Sequence, residues 1–266
     1  MSHARASLKR EGRVPPAEVW VGAAADEEHS FRGVSRLCGG LVAHGAVVSE
    51  PTENRLVIAH KGALRWTIRT RGVAAHSSKP HLGVNAIRHM ATVLAALDAD
   101  AAALEAAAHP LVGPGTLNVG LIRGGVQVNF VPDRCEIELD RPLIPGEDPA
   151  AVFAHYQSVL DRLMREHPGL DAVMDPPTIA DGPLETAATA PIVCLASAIL
   201  GDMGLPAEPV GVPYGSDASK LSHHGVPSLL FGPGSIDQAH GAVEWVECEQ
   251  VVRAERFYRE LMLRFE

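Results

Sequence analysis

Short, mainly apolar runs that end in acidic or histidine residues are the feature that most constrains the fold of this chain. The runs cover residues 18–25, 45–49 and 227–231. They lead into Asp26-Glu27-Glu28, into Glu50-Pro51-Thr52 and, after a Gly-Pro-Gly loop, into Ala239-His240-Gly241. Such runs are typical of the buried strands of open α/β sheets, where functional groups gather beyond the carboxyl ends of the strands. Carboxylates and imidazole are ligands of zinc-type metal ions, so the pattern predicts a metal site at one sheet edge.

The pattern changes in the middle of the chain, which predicts an inserted domain. Residues 61–71 alternate apolar and basic side chains, as a strand with one solvated face does. The predicted elements that follow are a helix over 84–97, strands over 116–122 and 134–139, a helix over 149–166 and a strand over 171–174. The order β-α-β-β-α-β is that of a ferredoxin-like sandwich. We therefore predict an α+β domain over 62–175, inserted into an α/β domain formed by 1–61 and 176–266.

Composition excludes several classes of protein. The 266 residues carry a formal net charge of -9, which argues against nucleic acid as a partner. The four cysteines form no Cys-x-x-Cys pair, which favours free thiols in a reducing cytoplasm over a zinc ribbon or a disulfide framework. No run is long and apolar enough to span a bilayer, so we expect no membrane association.

Several motifs occur together in a shared order along nearly the whole chain. Besides the three acidic and histidine motifs, they are Gly72-Val-Ala-Ala-His76-Ser77 with Gly83-Val-Asn85-Ala86, Gly124-Gly125-Val-Gln-Val-Asn129-Phe-Val-Pro132, Asp140-Arg141 with Pro145-Gly146-Glu147, and Gly215-Ser216-Asp217. In this combination the chain resembles the M20 family of co-catalytic zinc hydrolases. That family includes acetylornithine deacetylase, succinyl-diaminopimelate desuccinylase and a glutamate-releasing carboxypeptidase.

The resemblance implies a zinc-peptidase-like catalytic domain with two divalent metals, zinc or else cobalt or manganese. Glu27 matches the general base that takes a proton from water. Glu28 and His240 match ligands of one metal, and Glu50 matches a ligand of the other. In an extended segment adjacent side chains point to opposite faces, which favours different roles for Glu27 and Glu28.

The inserted domain is implied to serve as a dimerisation domain or lid, so we expect a homodimer formed through 62–175. His76 matches a residue that steadies the developing oxyanion in the partner subunit. Asn129 and Arg141 match residues that hold the substrate near its carboxylate, and Gly215 and Ser216 lie in a loop that lines the pocket. The implied reaction is hydrolysis of an amide bond in an N-acyl amino acid or small peptide.

Structural alternatives remain for the individual residues. Glu27 and Glu28 could form a solvated acidic turn, and His76 could cap the turn at Ser77-Ser78. Arg141 could pair with Asp140 or Glu138 on the sheet surface.

The family's His-x-Asp motif has no counterpart in this sequence, and neither does its bridging aspartate. On the resemblance we therefore expect an N-terminally truncated catalytic domain in which dinuclear binding is weak. One alternative is a non-catalytic dimerisation or binding remnant of such an enzyme. Another is a mononuclear zinc site built on Glu28, His240 and a third ligand such as Asp217.

Overall fold

The computed structural model describes residues 1–28, 30–239 and 241–266. The chain forms two compact units: unit 1 contains Met1–His60 and Leu184–Glu266, and unit 2 contains Lys61–Pro183. Unit 2 extends to Pro183 because the strand Ile179–Asp181 pairs with residues 63–65, at the start of that unit.

The elements follow each other in an order that interrupts unit 1 with unit 2. The helices are α1 (Ser2–Arg10), α2 (Arg32–Cys38), α3 (Ala86–Leu104), α4 (Pro149–Glu166), α5 (Pro191–Asp202), α6 (Ala218–His223) and α7 (Cys248–Arg264), with short 3-10 turns at Pro80–Leu82 and Ile236–Gln238. The strands are β1 (Ala46–Val48), β2 (Val57–His60), β3 (Gly62–Arg71), β4 (Ala75–His76), β5 (Ala108–His109), β6 (Gly113–Pro114), β7 (Asn118–Gly124), β8 (Phe130–Val131), β9 (Arg134–Leu143), β10 (Asp171–Met174), β11 (Ile179–Asp181), β12 (Leu184–Glu185), β13 (Val210–Val212) and β14 (Ser228–Leu230).

The sheet of unit 1 is mixed. Its order is β1-β14-β2-β12, and β13 also pairs with β2. Strands β1 and β14 run parallel, with Ala46 opposite Ser228 and Val48 opposite Leu230. Parallel neighbours end at the same sheet edge, so the segments that follow β1 and β14 meet there. Helix α7 contributes Phe257, whose ring lies 3.9 Å from that of Phe231, between centroids.

Unit 2 has the ferredoxin-like arrangement that the sequence predicts. Its main sheet is antiparallel with the order β10-β3-β9-β7, which is 4-1-3-2 for the four strands of the β-α-β-β-α-β repeat. Every second residue of β3 and β9 is buried, as expected for a sheet with one covered face. The core on that face includes Trp66, Ile137 and Met90 together with Tyr156 of α4.

Two predictions for unit 1 are wrong in detail. Residues 18–25 form no strand, because a strand needs a ladder partner and none of the described residues pairs with this segment. Trp20 is accordingly 72% exposed. The apolar residues at helical spacing over 31–44 predict a helix of that length, but α2 covers only Arg32–Cys38, since the pair Gly39-Gly40 ends it before Gly45.

No helix in the described part of the chain is both long enough and apolar enough to cross a membrane.

Candidate active site

The loops after β1 and β14 interlock at one edge of the unit 1 sheet. The Thr52 hydroxyl accepts a hydrogen bond from the Gly232 N–H (3.1 Å) and donates one to the carbonyl of Arg55 (2.9 Å). The Glu53 N–H donates to the Gly234 carbonyl (2.8 Å), and the Asn54 N–H to the Gly232 carbonyl (2.9 Å). Glu53 and Asn54 both adopt the left-handed conformation, with φ of 55° and 59°. The turn after Glu50 is therefore fixed by the loop that precedes His240.

This contact leaves no room for a side chain at position 232. A Cβ atom on Gly232 would lie 2.5 Å from the carbonyl oxygen of Glu50. We expect Gly232→Ala to lower the free energy of unfolding by about 1–3 kcal/mol, the usual cost of an overpacked site. The measurement is the urea unfolding midpoint.

Gly201 in α5 provides the control, since nothing lies within 4 Å of a Cβ placed there. Gly201→Ala should leave stability unchanged or raise it slightly, because alanine is the better helix former. Equal midpoints for the two variants would contradict the close approach of Gly232 to Glu50.

Helix α7 and two tyrosines fasten the same loops. Gln250 accepts a hydrogen bond from the Gly234 N–H at its side chain (2.8 Å) and one from the Asn54 amide at its carbonyl (3.1 Å). Tyr214 donates to the Pro51 carbonyl (3.2 Å), and Tyr258 donates to the Phe231 carbonyl. Burial, reinforced by the negative charge of Glu50, raises the pKa of each tyrosine to about 12, so both hydroxyls keep their protons.

Four carboxylates of unit 1 form what we call the acidic cluster: Glu27, Glu28, Glu50 and Asp217. Burial raises the pKa of Glu50 to about 7, and the negative charges of Glu27, Asp217 and Glu28 add to the shift. Burial also raises the pKa of Asp217, and its Oδ1 atom is buried without a hydrogen-bond partner among the described residues. Carboxylates that repel each other in this way favour a bound cation or a proton.

The raised pKa of Glu50 makes the stability of the metal-free protein depend on pH. Between the unfolded pKa of 4.5 and the folded pKa of about 7, the folded state binds more protons than the unfolded state, so stability falls as pH rises through this window. Glu50→Gln mimics the neutral carboxyl. We expect this variant to gain about 1–2 kcal/mol over the original chain above pH 7, a value reduced for partial solvent exposure, and nothing below pH 4.5.

Chemical denaturation of the metal-free protein between these two pH limits measures the effect. Glu53→Gln is the control, because Glu53 lies three residues away on the exposed surface of the same loop. A constant difference in stability between Glu50→Gln and the original chain across the window would refute the coupling.

Lys220 places a positive charge beside the acidic cluster, and sequence reasoning missed it. Burial lowers its pKa to about 8, while the charges of Cys38 and Glu27 oppose the shift. Its ammonium lies 4.3 Å from the centroid of the Phe31 ring. The only sequence signal for a lysine at this site is its spacing: Lys220 lies three residues after Asp217, the residue that precedes helix α6. The arrangement gives Glu27 a positively charged neighbour.

The acidic motif itself lies in a turn. Asp26 has a φ of 70°, and its carbonyl accepts hydrogen bonds from the N–H groups of Ser30 (3.2 Å) and Phe31 (2.9 Å). Its carboxylate accepts from the Ser30 hydroxyl and from Arg32 Nε (3.0 Å). The alternation of side chains expected for an extended segment therefore does not apply to Glu27 and Glu28, although both act electrostatically on Glu50.

The Gly215-Ser216 segment leads into α6. Ser216 is fully buried, its Oγ accepts a hydrogen bond from the Ala218 N–H (3.2 Å), and its carbonyl accepts one from the Ser219 hydroxyl (3.1 Å). Through these hydrogen bonds Ser216 stabilises the start of α6. A substrate contact by Gly215 or Ser216 stays a prediction.

In unit 2 the structure brings His76 and Asn129 together. Strands β4 and β8 pair antiparallel, with His76 opposite Phe130, and the Ser77 N–H donates to the Asn129 carbonyl (2.9 Å). The His76 Nδ1 atom lies 2.8 Å from the Ser78 hydroxyl and accepts a hydrogen bond from the Ser78 N–H (3.2 Å). His76 thus caps the turn, the structural alternative left open by the sequence, and its other ring nitrogen makes no hydrogen bond with the described residues.

Arg141 lies on the helix-covered face of the unit 2 sheet. Its register partner is Leu64, which is buried, and Arg141 itself is only 1% exposed. The guanidinium contacts the Glu147 carboxylate and the Pro142 carbonyl. Neither surface partner suggested by the sequence is used, since Asp140 pairs with Arg65 at 2.8 Å. These contacts favour a structural role, and substrate binding by Arg141 stays a prediction.

His240, predicted as a metal ligand, lies outside the described residues. Within residues 1–28, 30–239 and 241–266, no three His, Cys, Asp or Glu side chains are arranged to hold a metal ion. The acidic cluster fits a divalent cation in ligand type, because carboxylate oxygens bind such ions. It also fits in charge, because the other three carboxylates repel the negative charge of Glu50, and a cation would relieve that repulsion. The described ligands alone do not complete a coordination sphere.

Comparison with known proteins agrees with this fold. Residues 58–168 match the peptidase dimerisation domain of the M20 family. The chain is 31% identical to an acetylornithine deacetylase of Myxococcus xanthus, over 90% of this chain and 63% of that protein. It is 32% identical to a probable carboxypeptidase of Aspergillus niger, over 82% of this chain and 50% of that protein. The crystal structure of the aminopeptidase PepT from Bacillus cereus superimposes with a TM-score of 0.80 at 20% identity, covering 97% of this chain and 67% of that one.

An α/β unit with an acidic sheet edge, interrupted by a ferredoxin-like domain, is thus a fold that this chain shares with a solved aminopeptidase structure. Residues 58–168 carry the peptidase dimerisation domain of the M20 family, and the chain as a whole is similar to the deacetylase and carboxypeptidase named above. It spans between half and two thirds of the length of these curated relatives.

Proposed function

We propose that the protein is a metal-dependent hydrolase that cleaves an amide bond in N-acyl amino acids or small peptides. The observation that carries this proposal is the acidic cluster, in which the negative charges of Glu27, Asp217 and Glu28 act on the partly buried Glu50 at the edge of the unit 1 sheet. The names of its relatives, acetylornithine deacetylase and probable carboxypeptidase, support the substrate class.

Each residue of the proposed site has one role. Glu28, Glu50 and His240 would hold divalent metal, which supplies a Lewis acid and lowers the pKa of water. Glu27 accepts the proton of the attacking water, and it lies close enough to Lys220 for the two charges to interact. His76 donates a hydrogen bond to the developing oxyanion.

Asn129, Arg141, Gly215 and Ser216 complete the proposal as residues that hold the substrate or line its pocket. Of these, Asn129 has the strongest support, since its backbone lies against the turn that carries His76. The free thiols of Cys38, Cys135, Cys194 and Cys248 support a cytoplasmic location, where thiols stay reduced.

The test is metal content together with turnover. The purified chain is loaded with zinc, cobalt or manganese, and bound metal is measured after gel filtration. Release of free amine is then followed from N-acetylornithine, N-succinyl-diaminopimelate and a dipeptide. Metal-dependent hydrolysis of at least one substrate supports the proposal. If the chain retains no metal after loading and hydrolyses none of these substrates, the proposal is overturned for this chain.

A dimerisation scaffold without catalysis is the competing hypothesis, favoured by an apolar surface on unit 2. Strand β7 pairs with β9 on one side, and no described strand pairs with its other side. Ile122 of β7 is 56% exposed, and Ile87 of α3, beside this strand, is 43% exposed. The surface continues into the loop after β7, where Val126 and Val128 are fully or largely exposed. Both hypotheses place a second copy of the chain on this edge.

Ile122→Lys should therefore raise the dimer dissociation constant at least about tenfold, since it buries a charge at an apolar contact. Sedimentation velocity over a concentration series measures the change. Val42→Lys is the control, because Val42 is 93% exposed in unit 1 and should leave dimerisation unchanged. Equal dissociation constants for the two variants would rule out the β7 edge as the interface.

A further inference from the structure

The turn after β4 surrounds one nitrogen of His76 with hydrogen-bond donors. The backbone N–H of Ser78 lies 3.2 Å from His76 Nδ1, and the Ser78 hydroxyl lies 2.8 Å from the same atom. A backbone N–H can only donate, so Nδ1 must present its lone pair. The Ser78 hydroxyl can then donate a second hydrogen bond to Nδ1.

This contact decides where the ring carries its proton. A neutral imidazole has one N–H and one lone pair, and the hydrogen bond at one nitrogen sets the state of the other. With Nδ1 as the acceptor, the proton resides on Nε2. The neutral ring therefore offers its single N–H on the side away from Ser78.

The backbone of the turn holds this geometry in place. Strand β4 is paired with β8 at Ala75 and His76. The Ser77 N–H donates to the Asn129 carbonyl (2.9 Å), and the Lys79 N–H donates to the His76 carbonyl (2.8 Å). The Ser78 N–H is thus fixed relative to the His76 ring by bonds on both sides.

We infer that Ser78 is a positioning residue that holds His76 in the tautomer with its proton on Nε2. The inference rests on the proposed function, in which His76 donates a hydrogen bond to the oxyanion. The opposite tautomer would present a lone pair to the developing negative charge and repel it. Ser78 acts through His76 and touches no substrate in this scheme.

The tautomer is read directly by long-range proton–nitrogen NMR on uniformly ¹⁵N-labelled full chain. Spectra are recorded in alkaline buffer, because only the neutral imidazole has two tautomers. The His76 signals are assigned by their loss in His76→Gln. We expect a protonated Nε2 and an unprotonated Nδ1. A proton on Nδ1 overturns the inference without any reference to activity.

Ser78→Asp tests the causal role, because a carboxylate at this position accepts a hydrogen bond and favours the proton on Nδ1. We expect the tautomer to reverse and kcat to fall about 10²- to 10³-fold, as on loss of one oxyanion donor, with little change in KM. Ser78→Thr keeps the hydroxyl and should restore both readouts. Ser77→Ala is the matched control and should leave both unchanged.

The two readouts separate this inference from the proposed function. If the original chain hydrolyses substrate and Ser78→Asp reverses the tautomer with kcat unchanged, the positioning role is overturned and the hydrolase stands. If no variant hydrolyses any substrate but the tautomer follows the residue at position 78, the tautomer control is supported and the hydrolase fails. An unchanged tautomer in Ser78→Asp overturns the inference in either case.

Discussion

We expect Glu27→Gln to lower kcat for the proposed amide hydrolysis by about 10²–10⁴-fold, the usual contribution of a general base, and to leave bound metal unchanged. Glutamine keeps the size and the hydrogen-bonding reach of glutamate but cannot take a proton from water. The expected result depends on the acidic cluster, in which Glu27 acts electrostatically on Glu50 and on Lys220. The measurements are steady-state hydrolysis and metal content of the same preparation.

Two other variants make the result specific. Glu28→Gln removes a proposed ligand and should lower metal content as well as rate. Glu18→Gln changes an exposed carboxylate on the same segment and should change neither. If Glu27→Gln loses metal while keeping its rate per bound metal, the roles proposed for Glu27 and Glu28 are reversed. If it keeps full activity, Glu27 is not the base.

We expect Arg141→Ala to lower the free energy of unfolding by about 3 kcal/mol, because it empties a fully buried site and removes the guanidinium that pairs with the Glu147 carboxylate. The guanidinium packs close to Gly115, where an added Cβ would lie 2.9 Å from Arg141 Nη1. The substitution therefore leaves a cavity beside the backbone of Gly115. Urea unfolding followed by tryptophan fluorescence is a suitable measurement, since Trp66 lies in the same core.

Arg123→Ala is the control on the same sheet. Arg123 is 56% exposed and pairs with Glu138 at 2.6 Å, and a surface pair of this kind contributes about 0–1 kcal/mol. If Arg141→Ala instead leaves stability unchanged and lowers kcat/KM, Arg141 binds substrate as the family resemblance implies. The experiment thus decides between the two roles of this arginine.

The elements of unit 2 were largely predictable because their signals are local. The alternation over 61–71 identifies β3, and the spacing of apolar residues identifies α3 and α4. The segment 18–25 has an equally apolar composition but forms no strand. Strand formation depends on a partner along the chain, which composition cannot reveal.

In the candidate site too, some features could be predicted from the sequence and others could not. The residue types of Glu28 and Glu50 indicate a cation site, and the structure brings their charges together. Burial was not predictable from the motifs: Ser216 and Arg141 are matched to pocket residues, yet both are almost completely buried. Lys220 was missed because a single lysine in a helical segment is most often a surface residue.

The insertion of unit 2 between β2 and its partners has a consequence for synthesis on the ribosome. Lys61–Pro183 is continuous and can fold as soon as it has emerged, with its local strand pairs complete. Strand β2, whose four residues are all buried in the finished protein, has been made by then, but β12, β13 and β14 have not. The nascent chain therefore carries an uncovered apolar segment while the intervening domain is translated, and chaperone binding is expected to concentrate there.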